Sequence, residues 1–358
     1  MKRKWILAAI MVSIVAMLFS TLLIGCKTTT AAAETTTAAA ETTKAAAETT
    51  KAAAEEEYVL VGAFLAHPVF RMQVREFLAV GKEMGVKATI VGPTDYNLSL
   101  MMEAFEQAIA TKPAGIIVPG FDKSLIPVID KAVDAGIPVG VIDADLPTSK
   151  RIFFVGSDWA EIGRKLANGL IKETGGKGKV GVICNFPQPN QQIALASFKE
   201  EIAKYPEMEV VSVQNDESSV ELANKAAIFI MQANPDLAGL AGFDGSAGSG
   251  IGPAVKEAGK AGTVKVSIID ILADNLKFLK EGTAQYVLGQ KHGVFATNAL
   301  KMLYEINHSD VFFTSDDRSI NIYPIPEVMY TGYLEVTPEN IDMFLEAQQK
   351  EADIAVYK

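Results

Sequence analysis

From Tyr58 onward, short apolar runs alternate with longer segments of helical period, and this alternation limits the fold more than any other feature of the chain. Consecutive strands separated by a helix cannot form a hairpin; they pair in parallel through crossovers, which is an α/β architecture. The pattern predicts strands at Tyr58 to Leu65, Val86 to Val91, Gly115 to Val118, Pro138 to Ile142 and Ile152 to Val155. Helices are expected between the first four. Pro68 to Met84 puts Val69, Met72 and Leu78 on one face, with Gly85 where a helix-ending glycine belongs. Leu98 to Ala110 and Leu125 to Ala135 follow the same rule.

The pattern then restarts with a helix from Trp159 to Lys172 and a strand at Val180 to Cys184. It continues through helix Gln191 to Lys204, strand Glu209 to Val213, helix Val220 to Ala233 and strand Leu237 to Gly242, then strands Val264 to Ile269 and Tyr286 to Leu288. Two sets of units imply two similar lobes, and 358 residues suffice for two full cores.

In open parallel sheets a ligand binds beyond the carboxyl ends of the strands. Those ends carry His67, Asp143 and Asp145 in the first half, and Asp244, Asp270 and Gln290 in the second. A carboxylate accepts from two vicinal hydroxyls at once, so recurrent strand-end aspartates suit a sugar or polyol. Any single one of them could instead only cap the following helix. Phe70 could pack on the C–H face of a sugar ring or into the core. Trp159 could line the cleft or pack at the junction of the lobes.

The first 26 residues have secretory signal architecture: basic Lys2-Arg3-Lys4, an apolar run from Ile6 to Ile24, then Gly25 before Cys26. Leu23-Ile24-Gly25-Cys26 resembles the bacterial lipobox, which implies acylation of Cys26 and cleavage before it. The alternative is an uncleaved membrane helix. Either places the residues from 58 onward outside the cytoplasm. From Ala31 the heptad AAAETTT recurs as AAAETTK, AAAETTK and AAAE. It lacks large apolar side chains for a coiled-coil seam and reads as a solvated tether, with a reach on the order of 30 Å as a flexible coil.

Several chemistries lose support. A net charge of −10 without a basic cluster beyond the leader argues against nucleic acid. The two cysteines, Cys26 and Cys184, have no metal-ligand spacing, and Cys184 at the end of an apolar run reads as a buried strand thiol. The glycine-rich stretch Gly245 to Gly252 follows a strand, but Pro253 stands where a dinucleotide-binding fingerprint needs its third glycine or alanine. Gly175-Gly176-Lys177-Gly178-Lys179 lacks phosphate-loop spacing. His67, His292 and His308 form no metal pair, and Asp143 and Asp145 are poorly spaced to flank a scissile bond. No catalytic residue, metal or cofactor is expected.

From about Tyr58 to Leu345 the sequence resembles the ribose-type (type I) periplasmic substrate-binding proteins of ABC importers. The resemblance is carried by His67-Pro68-Val69-Phe70, Gly92-Pro93-Thr94, Lys112 to Val118, Ala135 to Val139, Asp143-Ala144-Asp145, Val155-Gly156-Ser157-Asp158, Asp270, Gly289-Gln290 and Thr337 to Asp342 in that order. It implies two Rossmann-like lobes with parallel sheets and a three-segment hinge near Gly156 to Asp158, Gln290 and Tyr323 to Pro326. The implied division is a signal peptide at 1–25, a lipidated tether at 26–57, a first lobe of 58–157 with 291–325, and a second of 158–290 with 326–358. It carries ligand contacts over to Phe70, Asp143, Asp270 and Gln290, with His67 replacing a usual asparagine and Asn190 as a second-lobe contact. Ala144 stands where a ribose binder has arginine, so the branch handling rhamnose, polyols and autoinducer furanosyl compounds is the nearer likeness. The implied protein is a monomer, anchored to the membrane by its lipid, that presents a sugar or polyol to a permease and its ATPase. A sensory receptor for the same ligand and an extracellular sugar-acting enzyme are the alternatives.

Overall fold

The computed structural model describes residues 56–309 and 322–346; the leader, Cys26 and the heptad tether lie outside them. A first sheet contains β1 (Glu57–Val61), β2 (Lys87–Val91), β3 (Gly115–Pro119), β4 (Val139–Asp143) and β5 (Phe153–Gly156). The helices α1 (Pro68–Met84), α2 (Leu98–Thr111) and α3 (Ile126–Asp134) connect the first four of these strands. The chain then passes to α4 (Trp159–Thr174), β6 (Gly178–Cys184), α5 (Pro189–Ile202), β7 (Met208–Asn215), α6 (Val220–Ala233), β8 (Leu237–Gly242), α7 (Gly245–Glu257), β9 (Lys265–Ile269), α8 (Ala273–Lys280) and β10 (Tyr286–Gln290). It returns through α9 (His292–His308), and two short strands follow, β11 (Val328–Tyr330) and β12 (Tyr333–Val336).

The sheet orders are β11-β5-β4-β3-β1-β2 and β12-β10-β9-β8-β6-β7. Pairing is parallel throughout except that β12 runs antiparallel to β10. Helices cover both faces of each sheet, which is why the central strands β3, β4 and β5 are buried at every residue and read as continuous apolar runs. Successive residues of β3 enter opposite cores: Ile116 packs with Phe105 and Val118, while Ile117 packs with Phe153 and Phe295.

The predicted helices Pro68 to Met84 and Val220 to Ala233 match α1 and α6 residue for residue. Their ends are local. Pro68 opens α1, and Gly85 closes it at φ 71°, with its N–H reaching the Gly81 and Lys82 carbonyls. The first strand is shorter than expected. It stops at Val61 because the next residues turn away: the Leu65 and Ala66 N–H groups bond to the Pro93 and Thr94 carbonyls at 2.9 and 3.0 Å.

The chain passes between the sheets at Ser157-Asp158, at Lys291 and at Thr331-Gly332. The third passage corrects the expected boundary near Tyr323 to Pro326. Residues 328–330, expected in the second lobe, pair as β11 with β5, Val328 opposite Phe154 and Tyr330 opposite Gly156, and extend the first sheet. Only after Gly332, at φ 77°, does the chain reach the second sheet.

Candidate functional site

In each sheet the strands run 2-1-3-4-5 from one side, so Asp143 at the end of β4 and Asp270 just after β9 occupy equivalent places at the end of the fourth strand. Both are nearly fully buried, and both adopt left-handed backbone, at φ 65° and 75°. For a residue with a Cβ that conformation costs on the order of 1–2 kcal/mol, and it turns the side chain out of the strand direction. A buried donor holds each turn. Asn275 Nδ2 donates to the carbonyls of Ile269 and Asp270 at 2.9 and 3.0 Å, and Trp159 Nε1 donates to the Asp143 carbonyl at 2.8 Å.

These two carboxylates border a cavity between the two sheets. The first lobe contributes Phe64, His67, Val69, Phe121 and Asp143. The second contributes Gln188, Asn190, Gln191, Ser218, Asp244, Gly245, Ser246 and Asp270. The passages between lobes supply Trp159, Gln290 and His292. No lysine or arginine is among these lining residues.

Of the residues expected at the ligand, His67, Asp143, Asn190, Asp244, Asp270 and Gln290 border this cavity, as does Trp159. Phe70 and Asp145 do not. Phe70 is completely buried in the first-lobe core with Phe77 and Phe295, because the α1 face that carries it packs onto the sheet. Its aromatic place at the cavity is taken by Phe64, which stacks on Phe121 with ring centres 5.8 Å apart and meets His67 edge-on at 4.9 Å. Phe64 was hidden by the strand predicted to run to Leu65. Asp145 is turned to Arg151, whose Nε and Nη2 donate to its two oxygens at 2.5 and 2.8 Å, a bidentate pair with the guanidinium buried.

His67 caps α1, its Nδ1 accepting from the Val69 N–H at 3.3 Å. Burial pulls its pKa down, so it stays neutral, and the cap leaves the ring proton on Nε2. Asp244 also caps: Oδ1 accepts from the Ala247 N–H at 2.8 Å and Oδ2 from Gln191 Nε2 at 3.3 Å, occupying both oxygens from the protein side. Behind it, buried Asp216 has its pKa raised, first by burial and then by the neighbouring Asp244 charge, so the pair favours holding a proton. The glycine-rich start of α7 serves packing. A Cβ on Gly250 would come within 2.7 Å of the α6 backbone at Val220 and Asn224.

Asp143 is pushed up to about 6, first by burial and then by Asp270; His292 and the 3.3 Å bond from Gln73 Nε2 pull the other way. Sequence reasoning missed His292 as a site residue. Its ring lies between the aspartates, Nε2 2.9 Å from Asp270 Oδ1 and Nδ1 3.7 Å from Asp143 Oδ2. Burial alone would depress its pKa, but the Asp270 and Asp143 charges overcome that and raise it. The available signal was position: His292 opens a helix two residues beyond Gln290, at a strand end.

Of the four buried amides with an unpartnered oxygen among the described residues, those of Gln73, Asn190, Asn275 and Gln290, two line the cavity. The side-chain oxygens of Asn190 and Gln290 are buried and accept no hydrogen bond from the protein.

Residues 58–308 match the periplasmic binding protein domain. The chain belongs to the periplasmic binding protein family. Its sequence is 32% identical over 219 residues to a D-ribose/D-allose-binding protein of Pseudomonas aeruginosa, covering 58% of this chain and 68% of that one. Among solved periplasmic binding proteins it superposes on the arabinose-binding protein AraP of Geobacillus stearothermophilus with a TM-score of 0.69 at 31% identity, over 81% of this chain and 99% of that one. The glucose-galactose-binding protein GanP of the same organism shares the fold, with a TM-score of 0.74 at 24% identity over 80% and 98% of the two chains. As a type I periplasmic binding protein, the chain has its cavity between two lobes of like topology, at the carboxyl ends of both sheets.

Proposed function

We propose that the protein is the extracytoplasmic, lipid-anchored receptor of an ABC importer and binds one neutral, hydroxyl-rich molecule, a monosaccharide or polyol, by closing its lobes around it. The observation that carries this reading is the pairing of unlike acceptors in one cavity. Asp143 and Asp270 are buried carboxylates, and the Asn190 and Gln290 carbonyl oxygens beside them are buried without a donor. An unsatisfied buried acceptor costs about 1–3 kcal/mol, and a ligand carrying several O–H donors relieves that cost at more than one point. His67, neutral and protonated on Nε2, adds a donor for a ring or hydroxyl oxygen. Phe64, Phe121 and Trp159 offer apolar faces to the C–H side of a ring.

The lack of lysine and arginine around the cavity favours a neutral ligand over a sugar phosphate. It also agrees with Ala144 in place of a ribose binder's arginine, which favours rhamnose-like sugars or polyols over ribose. The relatives that bind ribose, allose and arabinose support the class of ligand and the role in import. Lipidation of Cys26 would hold the receptor at the membrane beside its permease and ATPase, with residues 26–57 as the leash. Mass spectrometry of small molecules released from the purified, denatured protein tests the ligand class, followed by melting shifts with D-ribose, D-allose, D-arabinose, L-rhamnose and xylitol. A retained sugar or polyol, or a saturable shift with one of the panel, is expected. No sugar or polyol by either method would remove the reading.

A further inference from the structure

His292 stands where the chain re-enters the first lobe, in contact with the equivalent aspartate of each lobe. Each carboxylate has one oxygen engaged on that side. Asp270 Oδ1 is met by His292 Nε2 at 2.9 Å and Gln290 Nε2 at 3.2 Å. Asp143 Oδ2 is met by Gln73 Nε2 at 3.3 Å, with His292 Nδ1 at 3.7 Å. Asp143 Oδ1 and Asp270 Oδ2 stay available to a ligand. Two buried carboxylates in a cavity whose lining holds no lysine or arginine repel each other, and desolvation drives Asp143 towards taking up a proton. A neutral carboxyl is the weaker acceptor for a hydroxyl.

We propose that His292 is a positioning residue: as an imidazolium it bridges Asp143 and Asp270, one from each lobe, and keeps both charged and oriented so that their free oxygens accept from the ligand. The ring acts through the carboxylates rather than through a contact of its own with the ligand. The other titratable groups on the cavity are His67, held neutral by burial, and Asp244, whose two oxygens are taken by the Ala247 N–H and Gln191 and which adds to the negative field on Asp270, so the central ring is the cavity's one source of positive charge. Gln73 and Gln290 approach it as amides and Phe295 meets it edge-on at 5.3 Å, and none of these supplies charge.

The bridge gives ligand affinity two pH limits. As pH rises through the His292 pKa, itself raised above the usual 6.5, the central charge is lost and the aspartates repel across the cleft. As pH falls through about 6, Asp143 takes up a proton and stops acting as a charged acceptor.

This inference takes its ligand from the proposed sugar-binding role, but its electrostatics can be measured without one. In the purified full-length protein, histidine side-chain NMR assigned through bonds should show His292 titrating above about 6.5, and Asp270→Asn should lower that midpoint. A wild-type midpoint at or below the ordinary value, or one unmoved by Asp270→Asn, overturns the bridge, and the wild-type arm requires no variant to fold. In calorimetry with D-arabinose from pH 5 to 9, a bell-shaped affinity is expected. His292→Gln, checked for native circular dichroism, should weaken binding at pH 7 at least tenfold and abolish the alkaline limb. An unchanged pH profile in His292→Gln would equally overturn it. If no sugar binds while His292 titrates high and responds to Asp270→Asn, the bridge stands and only the assigned ligand class falls.

Discussion

Replacing Asp143 with asparagine should make the ligand-free protein more stable while making it a poorer receptor. The carboxyl is 4% exposed and its pKa rises from 3.8 to about 6 in the fold, a net value that already includes the attraction of His292. At about 1.36 kcal/mol per pKa unit, the charged form costs the fold about 3 kcal/mol relative to a neutral side chain of the same shape. Asparagine also tolerates the left-handed φ of 65° at this position. The sign follows from linkage. A group whose folded pKa is raised contributes most stability while protonated and loses it as pH climbs from the unfolded value, 3.8, through about 6. The advantage of Asp143→Asn should therefore be complete at pH 7.5 and nearly absent at pH 4. For a domain of 150–250 residues, about 3 kcal/mol corresponds to a melting shift of roughly 6–12 °C. Thermal or urea denaturation of the ligand-free proteins at both pH values measures the gap. A variant no more stable than wild type at pH 7.5, or a gap that does not shrink on acidification, would show that Asp143 is not a desolvated carboxylate held for ligand binding.

Three further outcomes are expected. Asp270→Ala removes a charged acceptor and should weaken the sugar that the protein binds by about 1.5–3 kcal/mol, roughly tenfold to 150-fold in the calorimetric dissociation constant. Asp145→Ala leaves the buried Arg151 guanidinium only its longer contacts to Glu327 and should cost about 3 kcal/mol in denaturant unfolding, yet leave sugar affinity within twofold, which separates its structural part from the ligand site. Gly92→Ala should lower first-lobe stability by about 3 kcal/mol or more, since Gly92 lies at φ 128° and a Cβ there would run into the Gly62 carbonyl oxygen; an unchanged melting curve would refute that packing.

What the amino-acid sequence determined by itself is what neighbouring residues enforce. Apolar periodicity and end signals such as Pro68 and Gly85 are read within a few residues of chain, so α1 and α6 were legible to the residue and the parallel α/β character with them. The strand-end rule then picked out Asp143, Asp244, Asp270 and Gln290 without any knowledge of distances. The tertiary structure decided what depends on partners distant in the chain. Val328 to Tyr330 carry no strong local strand signal and join the first sheet only because β5 offers a free edge. Asp145 and Asp143 are alike in sequence, and a guanidinium meets only the former. Whether Phe64 or Phe70 faces the cavity depends on where β1 is drawn away by the carbonyls of Pro93 and Thr94. His292 has its place between two aspartates, 149 and 22 residues earlier in the chain, only because both lobes converge on it. Periodicity and caps are short-range terms, whereas pairing and charge placement are settled only once the lobes have formed and brought these residues together.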